Sequence, residues 1–440
     1  MKIFFVSLGC DKNLVDSEHM LGILQDHGYS ITDDEQQADI IVINTCCFIN
    51  DAKEESIQTI LDMGTLRTEG SCKALIVTGC LAQRYRDEIR TQIPEVDAVV
   101  GISSWDRITE AIEQVLAGGR AEIFDDISAP PGKMPRRVIT TGGHYAYLKI
   151  AEGCDKNCTY CIIPKVRGRY RSIPMEDLLE EASKLAERGV KELILVAQET
   201  TLYGTDLYGE KRLHELIRSL CAIPQIRWIR LLYCYPEEIY PQLIETMKEE
   251  EKFCHYLDLP IQHCNDTILR RMGRRMTKEE LVGILENLRS QIPDIVLRTT
   301  LITGFPGETQ EQHEEMMDFV DEMEFDRLGV FSYSREENTP AAVMPDQIPE
   351  ETKEKWRDEL MQLQQEVSAD LAQRRIGTQT VAMIEGKAVD EDVYVARTRA
   401  DAPEVDGYLF LKTDEVLYSG DFVRARITQA GEYDLIGELI

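Results

Sequence analysis

The nine residues GCDKNCTYC at positions 153–161 contain three cysteines at CxxxCxxC spacing, with no fourth cysteine nearby. A closed structural zinc site takes four ligands, commonly as two CxxC pairs or with histidines at fixed offsets. The nearest histidine is His144, and no second pair follows at zinc-ribbon spacing. Three thiolates can instead hold a four-iron cluster at three corners and leave one iron open for a substrate. The spacing of Cys154, Cys158 and Cys161 therefore favours an iron–sulfur cluster. A zinc knuckle or three incidental thiols are the alternatives.

This loop also has an aromatic residue, Tyr160, between its last two cysteines. In this it resembles the cluster loop of the radical S-adenosylmethionine (SAM) superfamily. In that superfamily the open iron binds the amino and carboxylate groups of SAM, and an electron from the cluster cleaves the sulfonium to give a 5′-deoxyadenosyl radical. The resemblance implies a 4Fe–4S cluster on the three cysteines, SAM as cofactor, and an electron donor as partner.

The chain is long enough for two or three domains, with 440 residues of which 43% are hydrophobic. No stretch of eighteen apolar residues is present, so no membrane span is expected. Residues 1–8 predict a buried strand rather than a signal peptide, because they lack a long apolar core and a cleavage site. Twelve cysteines without an export signal indicate a reducing, cytoplasmic location. The formal net charge of −30 disfavours nucleic-acid phosphate and favours basic partners, with solubility alone as the alternative explanation.

Residues 1–117 predict a parallel α/β domain. Strands are expected at 2–8, 40–44, 74–78 and 98–100, with helical periodicity at 16–27 and 51–63. This alternation implies a parallel sheet that places ligands at the carboxyl ends of its strands. Two glycines at 118–119 and a proline-rich stretch at 129–135 predict a linker over 118–139.

Residues 140–372 predict a second α/β array. Its strands are expected at 146–151, 192–197, 228–232, 256–259, 296–302 and 327–331, with helices at 174–188, 237–248, 278–291 and 349 to about 375. Six βα units are too few for a closed eight-stranded barrel. They suit the open (β/α)₆ partial TIM barrel that the superfamily resemblance implies. Residues 373–440 contain short alternating strands at 380–385, 407–412 and 421–429, which predict a small antiparallel β-barrel of OB-like type.

A second set of cysteines, Cys10, Cys46 and Cys80, is dispersed in sequence, but each member follows a predicted strand of the first domain. Because the carboxyl ends of parallel strands meet at one edge, these thiols are expected to converge there. Glycines beside Cys10 and Cys80 let backbone approach a cluster. The geometry is that of a second cluster site, and scattered core cysteines are the alternative.

The segments around these cysteines, SLGCDKNLVDSE (7–18), NTCCF (44–48) and TGCLAQ (78–83), resemble three signature segments of the methylthiotransferase family. In that family the cysteines bind an auxiliary 4Fe–4S cluster. Cys46 matches the family position, and Cys47 is interpreted as packing or a spare thiol. The resemblance covers the whole chain. It implies an auxiliary-cluster domain at 1–117, a radical SAM core at 140–372 and a TRAM domain at 373–440.

Candidate SAM contacts lie after two strands of the core, where polar groups face the mouth of a partial barrel. Gly304 and its neighbours form a GFPG turn that can bring backbone close to a ligand, although a tight turn capped by Glu308 is the structural alternative. The four cations of the basic stretch 164–171 could bind a substrate carboxylate or phosphate, with a solvated loop as the alternative. Among them Arg167 matches the family segment. Arg298, on the strand at 296–302, could pair with the ligand carboxylate. The full candidate set is Tyr160, Gln198, Glu199, Thr200, Arg298, Thr303, Gly304 and Pro306.

Within the family, three segments resemble the RimO branch, which modifies an aspartate of the small-subunit ribosomal protein S-twelve. These are the KNLVDS run at 12–17, His263 after LPIQ, and the paired acids Glu336 and Glu337. The other branch modifies a tRNA adenosine beside the anticodon and is the alternative. Residues 375–440 contain seven basic and thirteen acidic residues, a net charge of −6. An RNA-binding barrel is expected to be basic, whereas an acidic one suits a ribosomal protein rich in Lys and Arg.

The resemblance therefore implies methylthiolation of the β-carbon of an aspartate in S-twelve, with two 4Fe–4S clusters and SAM as cofactors. The substrate is expected free or on the small ribosomal subunit, and direct nucleic-acid binding is not expected. A cluster-bearing scaffold or carrier without radical chemistry is the alternative from a different functional class.

Overall fold

The computed structural model describes residues 1–130, 134–388 and 392–440. The chain forms two compact units. The first contains residues 1–140, 149–177 and 334–342, and the second contains residues 141–148, 178–333 and 343–440. Residues 131–133 of the predicted linker and residues 389–391 of the C-terminal segment lie outside the described part of the chain.

The first unit is built on a six-stranded parallel sheet in the order β2-β1-β3-β4-β5-β6. Its strands are β1 (Lys2–Ser7), β2 (Ser30–Thr32), β3 (Ile40–Thr45), β4 (Ala74–Gly79), β5 (Ala98–Val100) and β6 (Ala121–Ile123). The helices of this unit's N-terminal part are α1 (Asp11–Asp26), α2 (Asn50–Glu69), α3 (Cys80–Arg84), α4 (Arg86–Gln92) and α5 (Ile108–Leu116). Strands β3 and β4 are wholly buried, as expected of central strands covered on both faces.

Alternating side chains of β3 enter two separate cores. Ile40 and Val42 pack in one cluster with residues of α1 and α5. Ile41 and Ile43 pack in the other with Ile60 of α2. The parallel α/β fold predicted for this region is thus confirmed. The stretch predicted as a linker contains β6, which pairs with β5, and β2 was also missed. Three residues are too few for alternation to be recognised in a sequence.

The second unit contains the strands of an open six-stranded sheet in the order β14-β13-β12-β11-β10-β7. The strands are β7 (Tyr145–Lys149, whose last residue belongs to the first unit), β10 (Glu192–Val196), β11 (Trp228–Leu231), β12 (Phe253–Asp258), β13 (Val296–Thr303) and β14 (Arg327–Ser332). The helices are α7 (Met175–Glu187, whose first three residues belong to the first unit), α8 (Leu213–Cys221), α9 (Pro241–Glu249), α10 (Asp266–Arg271), α11 (Lys278–Gln291), α12 (Gln310–Met323) and α13 (Glu350–Gln373). All six strands were predicted, and the sheet stays open.

Between β7 and α7 the chain forms the cysteine loop in the first unit. The loop is closed by a short antiparallel pair, β8 (Ala151–Glu152) with β9 (Arg171–Ser172), and contains one helix, α6 (Ile163–Arg167).

The C-terminal segment of the second unit is a closed five-stranded barrel, which confirms the predicted OB-like fold. Its strands are β15 (Gln379–Lys387), β16 (Val393–Thr398), β17 (Leu409–Lys412), β18 (Phe422–Ala430) and β19 (Leu435–Leu439). The pairing of β17 with β19 is parallel and the other pairings are antiparallel.

Buried polar contacts join this barrel to the core strands. Arg397 of β16 donates to Glu192, the first residue of β10, at 2.7 Å. Glu192 also accepts from Arg230 of β11 at 2.8 Å. His144, immediately before β7, lies 2.8 Å from Glu385 of β15. No described helix is both long and apolar enough to cross a membrane.

Candidate functional site

Three neighbouring strands of the first unit each end at a cysteine loop. The register pairs Ser7 with Asn44 and Thr45 with Gly79, so that β1, β3 and β4 end side by side. Cys46 and Cys80 directly follow the paired residues Thr45 and Gly79, and Cys10 is the N-cap of α1. The structure therefore brings the three predicted cysteines to one edge of the sheet, as the strand pattern indicated.

Two glycines permit this convergence. Gly9 has a φ of +90°, and a Cβ there would lie 2.6 Å from the Cβ and 2.8 Å from the Sγ of Cys46. Gly79 has a φ of +93°, and a Cβ there would overlap Asn44 and the carbonyl of Thr45. Any larger residue would be strained and would push the loops apart.

Asn13, on the first turn of α1, ties the three loops together. Its Nδ2 donates to the carbonyl of Leu8 at 3.0 Å and to that of Thr45 at 2.9 Å. Its Oδ1 accepts from the Cys80 thiol at 3.8 Å. Ser56 of α2 fixes the middle loop, because its Oγ accepts from the Cys46 amide at 3.0 Å and donates to the Cys46 carbonyl at 2.9 Å. Sequence reasoning did not assign a role to either residue.

Burial shapes the chemistry of these thiols. It raises the pKa of Cys46, and the neighbouring Cys10 adds to the effect. Burial also raises the pKa of Cys80, against the opposing charge of Arg167. Thiols with raised pKa values are protonated at neutral pH, and a thiol must lose its proton to bind iron. Cluster binding at this edge is therefore coupled to proton release.

The loop of Cys154, Cys158 and Cys161 is fixed mainly through its backbone. The amide of Cys154 donates to the carbonyl of Gly168 at 3.2 Å, and that of Cys161 donates to Cys158 at 3.0 Å. The amide of Lys156 donates to the Cys154 sulfur at 3.5 Å. Burial, with the charges of Cys158 and Cys154, raises the pKa of Cys161. The three thiols are thus close enough to influence one another.

Both cysteine sets have the donor chemistry of iron–sulfur sites. No group of three or more His, Cys, Asp or Glu side chains in the described ranges could hold a single metal ion. A four-iron cluster does not need side chains that converge on one metal ion, since each thiolate binds a separate iron. The thiols are buried or half-buried, and at Cys154 an amide donor points at the sulfur; such thiolates are the soft ligands that these clusters take. The residues present therefore fit the clusters that the motifs indicate.

Arg167, the last residue of α6, connects the two cysteine sets. Its buried guanidinium donates to Glu152 at 2.8 and 2.9 Å and to Asn13, and it lies 3.6 Å from Asp16. Lys149 pairs with Asp16 and with Glu152. Burial lowers the pKa of Arg167, but Cys80 in its thiolate form and the carboxylates of Glu152 and Asp16 outweigh that effect and raise the pKa well above its usual value. Sequence reasoning singled out Arg167 as a ligand-binding candidate but missed its carboxylate partners.

The remaining predicted SAM contacts lie in the second unit, except Tyr160, which is half-buried in the first. Gln198, Glu199 and Thr200 follow β10, as predicted. The carboxylate of Glu199 accepts from the amide of Thr201 at 2.9 Å. The hydroxyl of Thr200 donates to the carbonyl of Leu232 at 2.8 Å. Both side chains thus support the loop, and their SAM contacts stay a prediction.

The GFPG turn follows β13 and is stabilised by contacts with buried side chains. Glu308 accepts from the amide of Phe305 at 2.9 Å and lies 3.3 Å from His263, with both side chains fully buried. A Cβ on Gly304, whose φ is +72°, would overlap the stem of Lys353. The turn is therefore capped by Glu308, and a fixed turn of this kind can also support a ligand. The contacts predicted for Gly304 and Pro306 remain predictions.

Two residues of β13 were also predicted to contact SAM. The Arg298 guanidinium lies 3.1 Å from Asp258 and 3.6 Å from Asp406 of the C-terminal barrel. Its charge is therefore already shared by two carboxylates, which is a role that sequence reasoning missed. The hydroxyl of Thr303 is buried and has no hydrogen-bond partner among the described residues.

Three family models match successive parts of the chain. Residues 2–101 match the uncharacterized protein family UPF0004, residues 148–320 match the radical SAM superfamily, and residues 376–440 match the TRAM domain.

Curated relatives match over nearly their whole length. A protein of Lachnoclostridium phytofermentans named ribosomal protein uS12 methylthiotransferase RimO is 60% identical over 437 residues, covering 99% of both chains. A protein of the same name from Clostridioides difficile is 48% identical, covering 100% of this chain and 99% of that one. Among solved structures, the radical S-adenosylmethionine methyltransferase TsrM of Kitasatospora setae matches with a TM-score of 0.54 at 13% identity, covering 89% of this chain and 79% of that chain. That last likeness bears on the fold alone.

Proposed function

The chain belongs to the RimO family of ribosomal protein uS12 methylthiotransferases, and from this premise we propose that it attaches a methylthio group to the β-carbon of an aspartate of uS12. The family resemblance drawn from the segments at 7–18, 44–48 and 78–83 is thus confirmed. The observation that supports the proposal most directly is that two three-cysteine sets lie in one compact unit, linked through Arg167.

In this proposal Cys154, Cys158 and Cys161 hold the radical SAM cluster, and a second set holds the auxiliary cluster. The second set is Cys10, Cys46 and Cys80. When bound, the clusters and SAM supply the electron-transfer, radical and sulfur chemistry. The chain's own residues position and bury these groups. Asn13 and Ser56 fix the auxiliary loops, as their hydrogen bonds at the three strand ends support.

The net charge of the C-terminal barrel indicates which class of macromolecule is the partner. The −6 net charge of residues 375–440 suits a basic protein better than RNA. We infer that the substrate is uS12 itself, free or on the small ribosomal subunit, that an electron donor acts as a second partner, and that the reaction takes place in the cytoplasm. Direct binding of nucleic acid is not expected.

The proposal is tested with purified, anaerobically reconstituted protein. We expect about eight irons per chain, because two three-cysteine sets are present. Incubation with SAM, a reductant and either uS12 or bulk tRNA is followed by mass spectrometry of both substrates. A methylthio group on an aspartate of uS12 is the expected result. Modification of tRNA alone would transfer the assignment to the tRNA-modifying branch, and 5′-deoxyadenosine formation with neither product would contradict both.

A further inference from the structure

The nine residues 334–342, here called the bridging segment, belong to the first unit although the strand before them, β14, belongs to the second. At the centre of the segment lies Glu336, which is only 2% exposed. Its carboxylate accepts from Arg84 at 2.8 Å and from the Ser334 hydroxyl at 2.9 Å, and it lies 3.3 Å from Lys53. A buried carboxylate of this kind is retained only with such partners.

Both cationic partners of Glu336 are close in sequence to auxiliary cysteines. Arg84 is the last residue of the five-residue helix that begins at Cys80. Its guanidinium also donates to the carbonyl of Cys47 at 3.2 Å, next to Cys46. The salt bridge therefore joins the bridging segment to two of the three auxiliary loops.

The other end of the bridging segment contacts the radical SAM loop. The amide of Ala341 donates to the carbonyl of Thr159, between Cys158 and Cys161, at 2.9 Å. Lys165 of α6 donates to the carbonyl of Asn338 at 2.6 Å. One short segment thus holds hydrogen bonds to both cysteine-bearing regions. The two cysteine-bearing regions also contact each other through apolar side chains of α3 and α6, which pack in one core cluster.

We propose that the bridging segment fixes the position of the auxiliary loops relative to the radical SAM loop, with Glu336 as a positioning residue for methylthio transfer. Glu336 acts through Arg84 and Lys53 and does not touch the substrate. This inference rests on the proposed function, because alignment matters only if one cysteine set generates the radical and the other supplies the methylthio group. Cleavage of SAM needs only the first set, so the two activities are expected to separate.

The test uses full-length, reconstituted protein and the variants Glu336→Gln and Arg84→Met, which remove the same ion pair from opposite sides. The matched control is Glu337→Gln, since Glu337 contacts the same two cations but its side chain is 46% exposed. The measured quantity is methylthiolated uS12 formed per 5′-deoxyadenosine. A misplacement of about 1 Å in a reacting group costs about 100-fold in rate, so we expect this ratio to fall by about 10- to 100-fold in both variants.

Four further measurements distinguish a loss of alignment from a general loss of stability or of cluster binding. Iron content and SAM cleavage should stay near wild type, and Glu337→Gln should match wild type in every assay. Electron paramagnetic resonance of the doubly reduced protein should show an altered magnetic coupling between the clusters, which a general loss of stability would not produce. The double variant should be no worse than the worse single variant, because both remove one interaction.

An unchanged product ratio in both single variants would overturn the proposal. Loss of the auxiliary iron would also overturn it, since Glu336 would then serve cluster binding rather than alignment. Failure of the wild-type protein to modify uS12 is a separate outcome that concerns the proposed function, and the magnetic coupling of the two clusters can still be compared in that case.

Discussion

Replacing Arg397 by methionine should destabilise the second unit strongly, because it breaks the ion network that joins the C-terminal barrel to the core strands. Arg397 is fully buried. It donates to Glu192 and to Glu385, each at 2.7 Å, and to the carbonyl of Asp401 at 3.0 Å. Methionine fills much of the same volume but neutralises neither carboxylate. Glu192 would keep only Arg230 as a charged partner.

The size of the destabilisation follows from the carboxylate charge that stays buried after Arg397 is replaced. Removing one partner of a buried ion pair costs about 3–5 kcal/mol, because the other charge remains buried. For a domain of 150–250 residues, each kcal/mol lowers the melting temperature by about 2–4 °C. The expected decrease in melting temperature is therefore about 6–20 °C. Differential scanning calorimetry of the full-length protein measures it directly.

Arg426→Met is the matched control. Arg426 lies in the same barrel, its side chain is 47% exposed, and it is 3.9 Å from Glu438. An exposed pair of this kind contributes less than about 1 kcal/mol. The reasoning is refuted if the two substitutions lower the melting temperature equally. A second check is the Glu192→Gln, Arg397→Met double variant, whose destabilisation should fall short of the sum of the single effects.

Three further predictions concern the cysteines and pH. Changing Cys154, Cys158 and Cys161 together to alanine should leave about half of the iron, and Cys10→Ala should abolish methylthio transfer while sparing 5′-deoxyadenosine formation. Iron analysis and product chromatography check both, and equal loss of both activities in Cys10→Ala would contradict the division of roles. Burial raises the pKa of Glu192, but Arg397 and Arg230 outweigh it and hold the pKa below its usual value. A depressed carboxylate pKa stabilises the fold above the unfolded value of about 4.3, and that stability is lost as the pH falls through the folded pKa. The melting-temperature difference between wild type and Glu192→Gln should therefore be constant near neutral pH and narrow below about pH 4.

The regular part of the fold was predictable because its signals are local. A buried strand such as Ile40–Thr45 can be recognised from its sequence alone. The order of strands and helices then indicates a parallel sheet. That order also predicted that Cys10, Cys46 and Cys80 would lie at one edge. The strands Ser30–Thr32 and Ala121–Ile123 were missed, because only their sheet neighbours make them strands.

The polar framework of the sites was not predictable in this way. Arg167 was recognised as important, but its contact with Asn13 spans 154 positions and depends on tertiary structure. Glu336 was noted only as one of two neighbouring acids, yet it is buried while Glu337 is exposed. Arg298 was interpreted as a ligand contact because cations pair with carboxylates. The carboxylates of Asp258 and Asp406 compete for it, and their proximity is set by the fold.

The ion network also determines how the acidic barrel should be tested as a docking surface for uS12. Deleting residues 376–440 would remove Arg397 from Glu192 and the Arg399 carbonyl from Arg230, so lost binding could reflect lost stability. A surface substitution avoids this. Glu415→Lys changes an exposed residue, and Glu286→Lys on α11 is a control with the same change in net charge. We expect Glu415→Lys to weaken binding to basic uS12 more than the control does, and the difference to shrink as salt rises, because exposed charges are screened within about 10 Å at 0.1 M ionic strength. Binding measured by calorimetry at two salt concentrations distinguishes docking on the barrel from attraction by net charge alone. Equal weakening by the two variants would show that net charge alone attracts uS12 and that the barrel has no special part in docking.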